Sequence, residues 1–252
     1  MRRILDFPLI VFTLSLASLW LSEQTGAFFA RKLRPVKDDE RNDLSLVTNA
    51  SMTLLALIIG FSFSMAVSRY DQRKNYEEEE ANAIGTEYVR VDLLPGADGA
   101  RVRQLLTQYL DQRLLFYTIR NPQQLELVDT ETAKLQAEMW STIQRVARAE
   151  PTPVFALVVA GMNDVLNRQG YTQAAWWNRI PVGAWGLMVS IAISSSLLIG
   201  YGANRRGFLF TILPFLVSIA FFLIADIDSP RRGVIRVVPQ NLTSLSQSLH
   251  AH

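Results

Sequence analysis

Residues 44–94 read LSLVTNASMTLLALIIGFSFSMAVSRYDQRKNYEEEEANAIGTEYVRVDLL. From Leu44 to Val67 no residue is charged, and 24 residues at 1.5 Å each exceed a hydrocarbon core of roughly 30 Å. From Ser68 onward the stretch is charged, but it contains no proline and only Gly85 as a weak break. The pattern predicts one long helix that starts in lipid and continues into water.

The apolar half is not uniformly greasy. Ser45, Asn49, Thr53, Leu57 and Phe61 are four apart and share a face, flanked by Thr48, Met52, Ala56, Gly60 and Ser64. Leu54, Leu55, Ile58 and Ile59 lie mostly off it. Polar atoms inside a membrane are costly unless they face protein or water. Two readings fit: a stripe that glues helices together, or a pore lining of Ser45, Asn49 and Ser64 whose apolar end is a dewetting constriction.

Here a family resemblance enters. LIIGFSFSMAVSRYDQR resembles the second transmembrane helix of bestrophins, with Gly60-Phe61 and Ala66-Val67-Ser68-Arg69-Tyr70 at matching spacing. EEANAIGTEYVRVDLLP is similar to a family of bacterial membrane proteins described as bestrophin-like, with four spans and a helical soluble domain. In bestrophins three apolar residues four apart on this helix form the neck of a pentameric ion channel. Counting back from Arg69, the resemblance places the neck at Thr53, Leu57 and Phe61, and Thr53 departs from the pattern by being semi-polar.

Composition narrows the classes. Hydrophobic residues make up 49% of the 252-residue chain and gather in long runs, which marks a membrane protein. A net charge of +2 argues against a dedicated nucleic-acid binder. There is no cysteine, and the two histidines are His250 and His252 at the tail. Thiolate or imidazole metal sites are therefore not expected, and no Ser-His-Asp set, phosphate-cradling glycine loop or HExxH motif occurs. We expect no enzyme, no cofactor and no bound metal. Proton-coupled transport would have to use Glu23 or Asp226, both near span ends.

The rest of the chain follows in order. An apolar first run predicts an uncleaved span over Ile4–Phe29, although Ser15, Ala17 and Ser18 also permit a signal peptide. Arg31–Asp43 is a mixed-charge connector in which Asp43 is placed to cap the second span. Pro95-Gly96 and Asp98-Gly99 mark a turn, after which apolar periodicity predicts helices over Ala100–Arg120, Leu125–Ala149 and Phe155–Asn167, the last closed by Gly170. Trp176, Trp177 and Trp185 suit a membrane interface. Val182–Tyr201 is a third span, Gly202–Arg206 a tight turn, and Phe208–Ile227 a fourth span kinked at Pro214. An extended piece, Gly233–Val238, and a short helix after Pro239 complete the chain, and no sheet is expected.

The expected fold is all-α and integral to the membrane, with helices one and two in residues 1–69, a helical cytoplasmic domain in 70–178, spans three and four in 179–228, and a tail in 229–252. Basic residues near the spans number ten on the side of the termini and seven on the other, placing termini and domain in the cytoplasm of a bacterial inner membrane. Glu77, Glu78, Glu79 and Glu80 read either as a solvated face partly neutralised by Arg73 and Lys74 or, around an oligomer axis, as an acidic vestibule ring favouring cations. Asp226 and Asp228 are too few for a calcium site, and their expected role is to cap a turn and pair with Arg231 or Arg232. The expected partners are the lipid bilayer, further copies of the chain (a pentamer) and inorganic ions. The expected function is passive ion conduction; the alternative is a non-conducting membrane scaffold that binds a partner.

Overall fold

The computed structural model describes residues 2–32, 40–202 and 209–250. Most of the Arg31–Asp43 connector, the Gly202–Arg206 turn after Gly202, Phe208 and His252 lie outside the described residues. Nine α-helices carry the described chain: α1 (Arg2–Leu5), α2 (Pro8–Lys32), α3 (Glu40–Arg90), α4 (Gly96–Thr118), α5 (Pro122–Ala149), α6 (Pro153–Trp177), α7 (Val182–Gly202), α8 (Leu209–Asp228) and α9 (Gln240–His250). A 3-10 turn at Val91–Leu93 ends α3, and the described residues form no strand.

The long helix is real: α3 runs unbroken for 51 residues, from Glu40 rather than Leu44. Asp43 is therefore in its first turn, where a carboxylate favours the positive end of the helix dipole, and is not the cap. Gly170 does not close α6, which runs on to Trp177, and no described glycine has the positive φ that a glycine cap uses. Asp98 and Gly99 likewise sit inside α4, whose entry is set by Pro95. Elsewhere the local chemistry is as the residue types dictate. Asn121 accepts from the Gln123 amide at 2.9 Å and Thr152 from the Phe155 amide at 3.2 Å, each with proline at the first helical position.

Among the described residues three helical stretches are long and apolar enough to cross a membrane: the first part of α3, the 50-residue stretch that ends in α7, and α8. Helix α2 is long enough at 25 residues but carries Pro8, Glu23 and Gln24.

The chain divides into two compact units. The first comprises residues 1–69 and 179–236, the second 70–178 and 237–252. In the first, α2 packs on α7 and α8. Trp185 is buried there at 2% exposure with its ring edge-on to Phe221, and Phe12 meets Phe215 and Phe222 the same way. Trp185 thus belongs to a core, as does Trp176, which packs on Phe116 and Tyr117 in the second unit; of the three tryptophans only Trp177 is exposed. The core of the second unit draws Ile84 and Val91 from the end of α3 and its turn, Leu106, Tyr109 and Phe116 from α4, Met139 from α5, Val158 and Met162 from α6, and Leu242 from α9.

Helices α2 and α7 approach at backbone distance. A Cβ on Gly26 would collide with the Leu197 carbonyl, and one on Gly200 with the Glu23 carbonyl. Replacing Gly200 by Leu should therefore lower the melting temperature of the detergent-solubilised protein, by the equivalent of roughly 1–3 kcal/mol or more. Gly186→Leu, where nothing lies within 4 Å, should leave it nearly unchanged.

Candidate functional site

Helix α3 presents two different faces. In the first unit Leu55, Ser62 and Ala66 are buried at 1%, 4% and 0%, while Ser45, Asn49, Thr53, Leu57, Phe61, Ser64 and Ser68 are all exposed. Leu57 is 53% exposed and Phe61 66%. Only 17% of the most apolar window of α3 is buried, against 50% for α8, so this span has the most free surface. Its polar atoms are partly satisfied within the helix. The Thr53 hydroxyl donates to the Asn49 carbonyl at 2.9 Å, and the Asn49 amide reaches the Ser45 hydroxyl at 3.5 Å. Every residue expected to line a pore or form its neck thus lies on one outward-facing strip, and none converges on another within a single chain.

The acidic run is divided by the same helical geometry. Glu77 is 1% exposed and accepts from the Asn241 side-chain amide at 2.7 Å and the Leu242 backbone N–H at 2.9 Å. It thereby satisfies the N-terminus of α9 with the charge that end prefers. Glu80, at 0%, makes an ion pair with Arg113 and accepts from the Tyr117 hydroxyl at 3.3 Å and the Thr172 hydroxyl at 3.2 Å. Arg113 is itself fully buried and lies 4.4 Å from the Phe116 ring centre. Burial works against its charge, but the Glu80 carboxylate outweighs it, so its pKa moves upward; burial and then Glu80 push the Tyr117 phenol up too. Glu79 pairs with Arg168 at 2.5 Å, and Glu78 alone is fully on the surface. Glu77 and Glu80 are thus internal fastenings of the second unit and not members of the expected acidic ring.

Arg73 also turns inward. At 1% exposure it donates to the carbonyls of Ala175 and Asn178, both at 3.2 Å, and so caps the end of α6. Further along, Glu87 is fully buried against Gly161 of α6 with neither oxygen hydrogen-bonded. Burial pushes its pKa up to about 8, with Arg90 pulling the other way. Arg73, Glu77, Glu80, Ile84, Glu87 and Val91 form one seam at alternating spacings of four and three. That spacing was visible in the sequence; a run of charges masked it by looking like a surface.

In the first unit Asp226 accepts from the backbone of Val234 at 2.7 Å and Ile235 at 2.8 Å, closing the turn after α8 as expected. Asp228 accepts from Arg179 at 3.1 Å and from the Ile180 amide, with Arg69 at 3.9 Å. No group of three or more metal-ligating acids, histidines or cysteines occurs among the described residues. Glu23 is 2% exposed on α2 with both oxygens unpaired.

Glu80→Gln should leave the buried Arg113 without its counter-charge and cost about 3–5 kcal/mol in denaturant titration, whereas Glu78→Gln should stay within about 0.5 kcal/mol. Glu87 gives a pH dependence of definite sign. Because its folded pKa is raised from 4.5 to about 8, its contribution is present in full below 4.5 and lost as pH rises through about 8. Melting temperature should fall over that window, and Glu87→Gln should flatten the fall.

Comparison with known proteins extends over nearly all of this framework. The family model of the Bestrophin-like domain matches residues 17–242. No curated protein matches the chain in sequence. Among solved structures, one variant of a bacterial Bestrophin homolog from Klebsiella pneumoniae is 13% identical with a TM-score of 0.64, covering 97% of this chain and 98% of that one. Another variant of that homolog is 14% identical with a TM-score of 0.62 over 96% and 97% of the two chains. A structure described as a membrane protein reaches 0.64 at 13% identity over 95% and 98%. At these identities the likeness establishes the fold.

Proposed function

Because the chain belongs to the Bestrophin-like domain family, we propose that it is an oligomeric ion channel whose pore is lined by the outer strip of α3. In this reading α2 is the fourth span, beside α3, α7 and α8. Several copies, five by analogy with bestrophins, close a ring. The second unit and both termini lie in the cytoplasm of a bacterial inner membrane.

One observation carries the proposal: Leu57 and Phe61 are exposed on the least buried span, directly in line with exposed Ser45, Asn49 and Thr53. A strip turned to lipid would hold Asn49 and two hydroxyl residues in hydrocarbon, which is costly. A strip turned to a water-filled axis solvates that end, and its apolar end forms a dry ring that an ion crosses only after losing hydration. Thr53 forms the polar edge of that neck. On the same helix Glu78 remains as the free acidic residue for a vestibule, so an acidic ring there narrows from four positions to one.

The scaffold reading keeps one specific support, the hydrogen bond from Thr53 back to its own helix, which also suits a face packed against another copy. The two part on function. Replacing both Leu57 and Phe61 by Ala should raise ion flux through reconstituted liposomes at least about tenfold, equivalent to ~1.4 kcal/mol of barrier, with the oligomer intact by mass. An assembled double variant without added flux would favour the scaffold. Glu78→Gln should shift the reversal potential in a salt gradient away from cations, more strongly at low ionic strength.

A further inference from the structure

The first unit contains a second feature that conduction does not use. Between α2, α7 and α8 lies a slot of ≈ 220 Å³, open along one side, whose lining includes Val11 and Ser18 of α2, Trp185, Val189 and Ile193 of α7, and Phe221 of α8. Trp185, Val189 and Ile193 are four apart, so the slot runs along the helix axes for about 12 Å. Its two serines add little polarity. Ser15 donates to the Phe12 carbonyl at 3.0 Å and Ser18 donates to the Leu14 carbonyl. One polar atom on the lining is different: the indole N–H of Trp185, 2% exposed, has no hydrogen-bond partner.

The end of the slot that reaches Ile4 and Leu5 adjoins a basic corner. The guanidinium of Arg232 lies 4.2 Å from the ring centre of Phe7, and Arg232 is exposed and meets no carboxylate among the described residues. Arg179 bridges Asp6 at 2.9 Å and Asp228 at 3.1 Å, and the Ser229 hydroxyl donates to the Asp6 carbonyl, so this corner is braced. With Arg179 held by two aspartates, Arg232 is an exposed cation at this corner.

We propose that this slot is a binding site for an anionic phospholipid, with an acyl chain between α2 and α7, a glycerol ester carbonyl accepting from Trp185, and the headgroup phosphate at Arg232. The three chemistries fall in the order that a lipid presents them. An apolar slot parallel to the spans comes first, then an unpartnered donor in its wall, then an unneutralised cation where the headgroup lies. The inference rests on the membrane placement proposed above and not on conduction. A protein that conducts without lipid preference would fail this proposal alone, and one that holds lipid without conducting would fail the other.

The test is native mass spectrometry of the purified full chain in detergent, titrated with dioleoyl phosphatidylglycerol or dioleoyl phosphatidylcholine. The native protein should retain the anionic lipid about fivefold better, the ~1 kcal/mol of one guanidinium near an anionic headgroup. Arg232→Gln, on an exposed side chain, should bring the two lipids to within twofold of each other. Val189→Phe, filling the slot, should lower retention of both lipids. Equal retention of the two lipids by the native protein would overturn the proposal, as would an undiminished preference in Arg232→Gln. Inorganic phosphate displacing the lipid at millimolar concentration would also overturn it, because it would show that the acyl slot contributes nothing.

Discussion

The second unit depends on charges that α3 turns inward. Glu80 and Arg113 are both removed from water, and a buried ion pair survives only when its remaining hydrogen-bonding capacity is met. Tyr117 and Thr172 both donate to the Glu80 carboxylate, bringing α4 and α6 to one point on α3. One turn earlier Glu77 holds the start of α9, and a further turn earlier Arg73 holds the end of α6. Three successive positions on one helix thus fix three other helices by charge and direction. Apolar packing around Ile84, Leu106 and Met139 supplies area; the charges supply register.

In the first unit α3 buries Leu55, Ser62 and Ala66 and leaves exposed a strip that carries Leu57 and Phe61 in line with Ser45, Asn49 and Thr53. Phe61 is exposed in the first unit and Arg73 buried in the second, each against the usual distribution of apolar and charged residues. The inversion suits a helix whose first part is apolar enough to cross a membrane and whose remainder is charged. Helix α2 meets α7 without side chains between them: Gly26 against Leu197 and Glu23 against Gly200 allow the two backbones to touch.

Much of the molecule was legible from residue order alone. The unbroken α3, the helices ending near Thr118 and Ala149, the all-helical class and the turn closed by Asp226 follow from periodicity, proline and capping residues, which act over a few neighbours. The family likeness rested on two neighbouring stretches between Leu57 and Pro95 and proved to extend over residues 17–242. Misreadings arose where a local signal was overruled at a distance. Gly170 looks like a helix end, but α6 continues to Trp177 because Thr172, Ala175 and Trp176 pack inward. Trp176 and Trp185 look like interface anchors, yet each found aromatic neighbours far away in sequence.

The sequence by itself determined which segments are helical and which are long and apolar enough to enter a membrane, because both depend on composition within a few turns. Only the tertiary structure decided which of four consecutive glutamates face water. A helix rotates about 100° per residue, so Glu77 and Glu80 point to one side and Glu78 away. Which side is buried depends on partners at residues 113, 117, 172, 241 and 242, thirty or more positions distant, and no window of sequence contains them.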